Sequence, residues 1–261
     1  MTIRTPAVAG TLYEADTQRL LVQMENWLES APVKTTQSTP KVLIAPHSGF
    51  HYSGESAARA YQTLNAVYDR IRRVILLGPA HRTTVDHLVL PEDDVFATPL
   101  GQVPLDKTAV NWLRRQPGVI TDNTLHAPEH SLEMQLPFLQ TALEDFFLVP
   151  IIVGQVDPDL VADILDALWL GDDSLIVVST GLSRKLTQAD AEAQDRRTAD
   201  RILELDPSLS YTEACGYSAL NGALTWARRQ GLHGQELQLT TSADRGGNQD
   251  SVRGFGSFVL G

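Results

Sequence analysis

The sequence predicts a single α/β domain with a central β-sheet covered by helices on both faces. Three observations predict it. Short, almost wholly apolar runs at 42–45, 73–77, 146–153 and 174–179 have the length and composition of buried strands. Segments with helical spacing of apolar residues alternate with them. The elements are spread evenly over 261 residues, with no internal repeat and no low-complexity tract, so one domain over residues 1–261 is favoured.

Taken in order, residues 4–13 form an entry segment punctuated by Pro6 and Gly10. Residues 15–28 predict an amphipathic helix, with Leu20, Leu21, Met24 and Leu28 on one face. Residues 34–40 are polar and predict a surface loop. The strand at 42–45 follows and ends at Pro46; helix formers occupy 54–68; the strand at 73–77 ends at Gly78 and Pro79. A further strand is predicted at 87–90, and a helix at 106–115 with Asp106 as its N-cap. Residues 129–143 predict a helix that Pro137 kinks or breaks. Then come a strand at 146–153, a helix at 158–170, a strand at 174–179, and helices at 188–204 and 211–230. Two alternating segments, 236–241 and 254–260, read as late strands joined by a turn around 244–248.

Composition narrows the function. The formal net charge is −11, which argues against a nucleic-acid surface and against docking on anionic lipid. A single cysteine, Cys215, rules out an intrachain disulfide and suits a reducing cytoplasm. No apolar run approaches the roughly 18 residues of a membrane helix, and the first residues lack the apolar core of an export signal. No Walker loop, Gly-x-Gly-x-x-Gly or Gly-x-Ser-x-Gly motif is present, so nucleotide binding and serine-hydrolase chemistry have no positive support.

Chemistry concentrates at the strand ends. His47 follows the strand at 42–45, and His81 follows the strand at 73–77. In α/β sheets ligands bind beyond the carboxyl ends of strands, where imidazole can ligate a metal, move protons or hold an anion. Spacing alone leaves a pair of unrelated loop histidines equally open. His51 lies four residues after His47, but Pro46 and Gly49 disfavour a regular helix there, so it reads as a loop residue that lines the pocket. His87 reads as structural. His126 and His130 flank Pro128. Glu129 and Glu133 either cap a helix start or orient a ligand histidine. A lone cysteine is most often a small buried hydrophobe, so residue type alone does not make Cys215 a ligand or nucleophile.

Taken together, these residues resemble the Memo family, the B component of the AmmeMemoRadiSam system. The ordered motifs are Arg4-Thr-Pro-Ala-Val-Ala-Gly10 with Tyr13, Ala45-Pro-His-Ser-Gly-Phe50 with Tyr52-Ser-Gly54, and Leu77-Gly-Pro-Ala-His81. Glu129-His-Ser-Leu-Glu133 with Gln135-Leu-Pro137, Val149-Pro-Ile-Ile-Val-Gly154, Cys215-Gly216 and Gly254-Phe255 complete the set. The resemblance implies a mixed central sheet like that of the class III, LigB-type extradiol dioxygenases. It implies His47, His81 and Cys215 as metal ligands, with His51, Glu129, His130 and Glu133 around the pocket. It also implies AMMECR-like and radical-SAM partner proteins. A His₂Cys donor set makes iron and copper credible, with zinc behind them, because thiolate is a soft ligand.

One departure matters. Where related sequences commonly read Ser-x-Asp-Leu-Ser-His, this chain has Ser179-Thr-Gly-Leu-Ser-Arg184. Gly181 and Arg184 therefore replace the aspartate and the acid–base histidine. Arginine stays protonated and is no general base, but it can hold an anion. The leading expectation is a metal-dependent redox protein or oxidoreductase, with His130 and Arg184 as the candidate catalytic residues and a small molecule or peptide as ligand. A non-catalytic adaptor with a vestigial metal site is the alternative, and a cysteine nucleophile with a histidine base ranks third.

Overall fold

The apolar runs become neighbouring strands because each can bury both of its faces. The computed structural model describes residues 1–30 and 38–261. Its elements run β1 (Ile3–Arg4), α1 (Thr17–Ser30), β2 (Val42–Ala45), α2 (Phe50–Gln62), β3 (Arg73–Pro79), β4 (Leu88–Leu90), β5 (Val95–Thr98) and β6 (Gly101–Pro104). They continue with α3 (Lys107–Leu113), β7 (Val119–Thr121), α4 (Asn123–His126), α5 (Leu136–Ala142), β8 (Phe147–Val153) and α6 (Pro158–Leu168). The last are β9 (Ser174–Ser179), β10 (Arg184–Leu186), α7 (Gln188–Leu203), α8 (Tyr217–Arg229), β11 (Gly234–Thr241) and β12 (Val252–Leu260).

One nine-stranded sheet takes the order β10-β12-β2-β9-β3-β8-β4-β7, with β11 paired to β12. Strands β2, β9, β3 and β8 are parallel. β12 joins β2 antiparallel, and β4 joins β8 antiparallel, so the sheet is mixed. Alternation divides the core. Val42, Ile44, Ile75, Leu77, Ile176 and Val178 pack on the α6–α8 side. Leu43, Ala45, Val74, Leu76, Leu175 and Val177 pack on the side of α1, α2 and α5. Each fully buried aliphatic side chain of this kind contributes about 1.5–3 kcal/mol relative to exposure.

Several predicted elements match closely. β2 and β9 have the expected bounds, and Asp106 caps α3 by accepting from Ala109 N at 2.9 Å. Others differ. Helix α2 starts at Phe50, with Gly49 as N-cap, because Phe50 is buried against Tyr13, Trp27 and Phe138. Gly54 is tolerated inside this helix because a Cβ there would meet the Trp27 ring at 2.2 Å. The segment after Pro128 makes turns and a 3-10 turn at Glu133–Gln135, and Pro137 sits in the first turn of α5 without kinking a longer helix. Helix α8 begins at Tyr217, six residues later than expected.

The β5–β6 hairpin, joined by β1 in a separate three-stranded sheet, was not predicted from the sequence. Its strands are four residues long and bounded by prolines, too short for a clear alternation. The predicted loop at 34–40 lies outside the described residues except for 38–40, which precede β2 without regular structure. Among the described residues no helix is long and apolar enough to cross a membrane.

Candidate metal centre

Three neighbouring parallel strands, β2, β9 and β3, end on the same side of the sheet. His47 leaves β2, the Ser179–Gly181 segment leaves β9, and His81 leaves β3. Parallel pairing places these exits together, although they are far apart in sequence. Cys215 arrives from the turn before α8. The ring centroids of His47 and His81 are 4.9 Å apart, and His130 stands 5.6 Å and 4.7 Å from them. One ligand nitrogen from each of His47, His81 and His130 lies within 4.8 Å of the others, so the three could hold a metal ion.

The hydrogen bonds behind His47 decide which of its nitrogens is free. Tyr61 Oη donates to Gln135 Oε1 at 2.8 Å, which orients that amide. Gln135 Nε2 then donates to the Pro46 carbonyl at 3.1 Å and to Ser179 Oγ at 2.8 Å. Ser179 commits its one proton to the Ser131 carbonyl at 2.6 Å. The 2.9 Å contact between His47 Nδ1 and Ser179 Oγ is therefore donated by the histidine. In the neutral ring the lone pair then falls on Nε2, 3.4 Å from Cys215 Sγ.

Glu129 does the same for His81. Its Oε1 is 2.9 Å from His81 Nδ1 and its Oε2 accepts the His81 backbone N–H at 2.7 Å. Oε1 also accepts Ser131 N at 2.8 Å and lies 3.3 Å from His130 Nδ1. Burial opposes the charge on Glu129, but its bonds to His130 and His81 hold the carboxyl far below its usual range. Histidine ligands commonly use their second nitrogen in this way, on a carboxylate or hydroxyl that fixes the ring. His81 itself is pushed up to about 9: burial opposes its charge, and Cys215 and Glu129 outweigh burial.

Cys215 is half-buried. Its Sγ accepts the Gly181 N–H at 3.2 Å, and its own N–H donates to the Gly181 carbonyl at 3.2 Å. Burial raises the thiol, but His47 and His81 overcome it and hold Cys215 well below the ordinary thiol range. The residues present thus fit a metal ion: His47, His81 and His130 each offer a nitrogen, and Cys215 Sγ lies 3.4 Å from His47 Nε2.

The remaining predicted residues separate. Arg184 joins the His47, His81, His130 and Cys215 side chains in lining a cavity of about 260 Å³. His51 is an exposed residue in the first turn of α2, not in a loop, and lines the adjoining cavity beside Tyr52. Glu133 is a correction. Its fully buried carboxylate binds Arg4 Nη1 and Ala7 N at 2.8 Å, Val8 N at 3.0 Å and Tyr13 Oη at 3.0 Å. It clamps the entry segment and makes no hydrogen bond to the histidines. His126 is buried against the Val89 carbonyl at 2.8 Å, and burial holds it down at about 4. His87 is half-exposed and pairs with Asp86.

Sequence reasoning missed the roles of Ser179, Ser131 and Gln135. Gln135 and Ser131 stood in a quoted motif, but nothing local says that they face His47.

A group of imidazoles beside a cysteine at the carboxyl ends of parallel strands, with His47 buried and His81 open to solvent, defines this as a mixed α/β protein with a candidate metal centre. The chain belongs to the Memo family: the family profile described as Memo-like protein matches residues 4–259. A MEMO1 family protein of Methanothermobacter thermautotrophicus is 32% identical over 97% of this chain and 98% of its own length. One from Methanopyrus kandleri is 31% identical over 98% of each chain, and one from Sulfolobus acidocaldarius is 30% identical over 99% of each.

Proposed function

We propose that this is a metal-dependent redox protein with His47, His81 and Cys215 as its ligands, and iron or copper ahead of zinc as the metal. The observation that carries the reading is the pair of oriented imidazoles: Ser179 and Glu129 occupy the Nδ1 atoms of His47 and His81. That leaves both Nε2 atoms for ligation next to Cys215 Sγ. A thiolate with two imidazoles suits copper and iron, as well as zinc. A bound iron or copper ion would supply one-electron exchange with a substrate or with dioxygen.

The chain's own groups then have definite tasks. Ser179 and Glu129 orient the ligands. His81 Nε2 must give up its proton before it can ligate. His130, held by Glu129 beside the cluster, is the group placed to exchange a proton with a substrate, a task Arg184 cannot perform. The likeness to class III extradiol dioxygenases and the AMMECR-like and radical-SAM partners belong to the same proposal and rest on the family resemblance; the cytoplasmic setting belongs to it too and rests on the lone cysteine.

The test is purification without oxygen, chelators or a metal-affinity column, followed by elemental analysis. About one iron or copper per chain is expected, lost in His47→Ala and Cys215→Ser. Wild-type protein that holds no metal and matches His47→Ala in every measurement would overturn the reading. A second reading uses the 3.4 Å Cys215–His47 pair as nucleophile and base. Rapid alkylation of Cys215 in metal-loaded protein at neutral pH would favour it.

A further inference from the structure

The cavity over the histidine cluster is cationic in an acidic protein. The chain carries 32 Asp and Glu against 21 Lys and Arg. Yet Arg184, Lys185 and Arg253 all line this cavity, and none of its lining residues is acidic. Among the described residues none of the three cations forms an ion pair; Arg59, Arg82, Arg115 and Arg197 form none either, so what sets the three apart is that they line one cavity.

The backbone holds these charges together at a cost. Arg184 and Arg253 are directly opposed partners across the β10–β12 ladder. Like charges in that position repel and destabilise a strand pair. Lys185, next to Arg184 in β10, has a positive φ of 56°, a conformation that costs a non-glycine residue energy and clusters at ligand sites. The guanidinium of Arg184 is also positioned. It lies 3.6 Å over the Tyr211 ring and donates to the Tyr211 carbonyl at 3.3 Å. The preceding residue is anchored by the buried Asp195, which accepts Ser183 N and Ser183 Oγ at 2.9 Å each. An oriented arginine without a carboxylate partner, in register with a second arginine that lines the same cavity, is an arrangement that an oxyanion would complete by charge-assisted hydrogen bonds.

We propose that this cavity takes a small organic anion. Its carboxylate or phosphate group is held by Arg184 and Arg253 with Lys185 beside them, and its other end is directed at His47, His81 and Cys215. Only the position of that far end rests on the metal-centre reading. Leu182 and Phe255 give the cavity apolar wall, which suits a carbon skeleton between the two ends.

Calorimetric titration of the full chain, metal-free and metal-loaded, with benzoate, phenyl phosphate and the neutral benzyl alcohol tests the proposal. At least one anion is expected to bind, and which one separates a carboxylate site from a phosphate site. Benzyl alcohol is expected to bind at least tenfold more weakly. Arg184→Gln and the exposed Arg253→Gln are each expected to weaken anion binding at least tenfold, Arg184→Lys less, with melting temperatures no lower than that of the wild type. Added salt should weaken binding further. Equal binding of benzyl alcohol, no binding of either anion, or indifference to both Gln variants overturns the proposal. Metal analysis of the same samples keeps the two readings apart. Anion binding that depends on Arg184 in protein unable to hold metal sinks only the metal reading. Retained metal without anion binding sinks only this one.

Discussion

The imidazole of His47 donates its Nδ1–H to Ser179 Oγ at 2.9 Å, because the serine has already given its only proton to the Ser131 carbonyl. One hydroxyl on β9 thus selects the tautomer of a histidine that leaves β2. Ser179→Ala should release that choice. Metal affinity is expected to fall about 10–100-fold, the usual effect of losing such a partner. Stability should fall by about 1–3 kcal/mol, because Gln135 and Ser131 lose a buried partner. Competition titration against a metal chelator and urea unfolding measure the two effects separately.

His81 should make metal binding depend on pH. Its imidazolium persists to about 9 in the metal-free protein, since Cys215 and Glu129 outweigh its burial. Ligation needs the neutral ring, so apparent affinity should climb as pH rises and level off near 9. Glu129→Gln removes one of the two anions. The imidazole resonance of His81, followed by NMR in metal-free protein, should then titrate at lower pH, and the affinity plateau should begin earlier. An unchanged titration would mean that Glu129 does not hold the proton on His81.

Glu133 lies only four residues from Glu129 and does a different job. Glu133→Ala would leave Arg4 buried without its carboxylate and orphan the N–H groups of Ala7 and Val8. The expected loss is about 3–5 kcal/mol of stability, as for a broken buried ion pair. Metal content per folded chain should not change. A variant that keeps wild-type stability but loses metal would reassign Glu133 to the centre.

Asp195 should produce an acid-side step in stability. Burial pushes its carboxyl up to about 6, only partly offset by its bonds to Ser183. The folded state therefore binds this proton more tightly than the unfolded chain, whose carboxyl titrates near 3.8. Stability from this group is present below about 4 and is lost as pH rises through about 6, by on the order of 2–3 kcal/mol. In Asp195→Asn that decline should be absent, as read from denaturant midpoints between pH 4 and 7.

Much of the fold was legible because its signals are local. β2 and β9 are wholly buried runs closed by Pro46 and by the Ser179–Gly181 exit, and nothing but a central strand accommodates them. The cap on α3 was legible because Asp106 satisfies an N–H three residues away. The β5–β6 hairpin was not, because its strands gain their stability from β1, about ninety residues earlier in the chain.

The site divides in the same way. The sequence by itself determined that His47 and His81 leave the ends of two buried strands. It also carried the order of motifs that marks the family. Composition and spacing left Cys215 and His130 open, and only the resemblance put them near the histidines; tertiary structure brings Cys215 to 3.4 Å from His47, His130 into the cluster, and Arg184 into register with Arg253. It also decided the fates of Glu129 and Glu133. A continuous helix would have put both on one face, but the chain turns, sending one carboxylate to His81 and the other to Arg4. The physical reason is range. Burial and capping act within a few residues, whereas the partners that select a tautomer or satisfy a buried charge here are brought together across 48 to 168 positions by the parallel sheet.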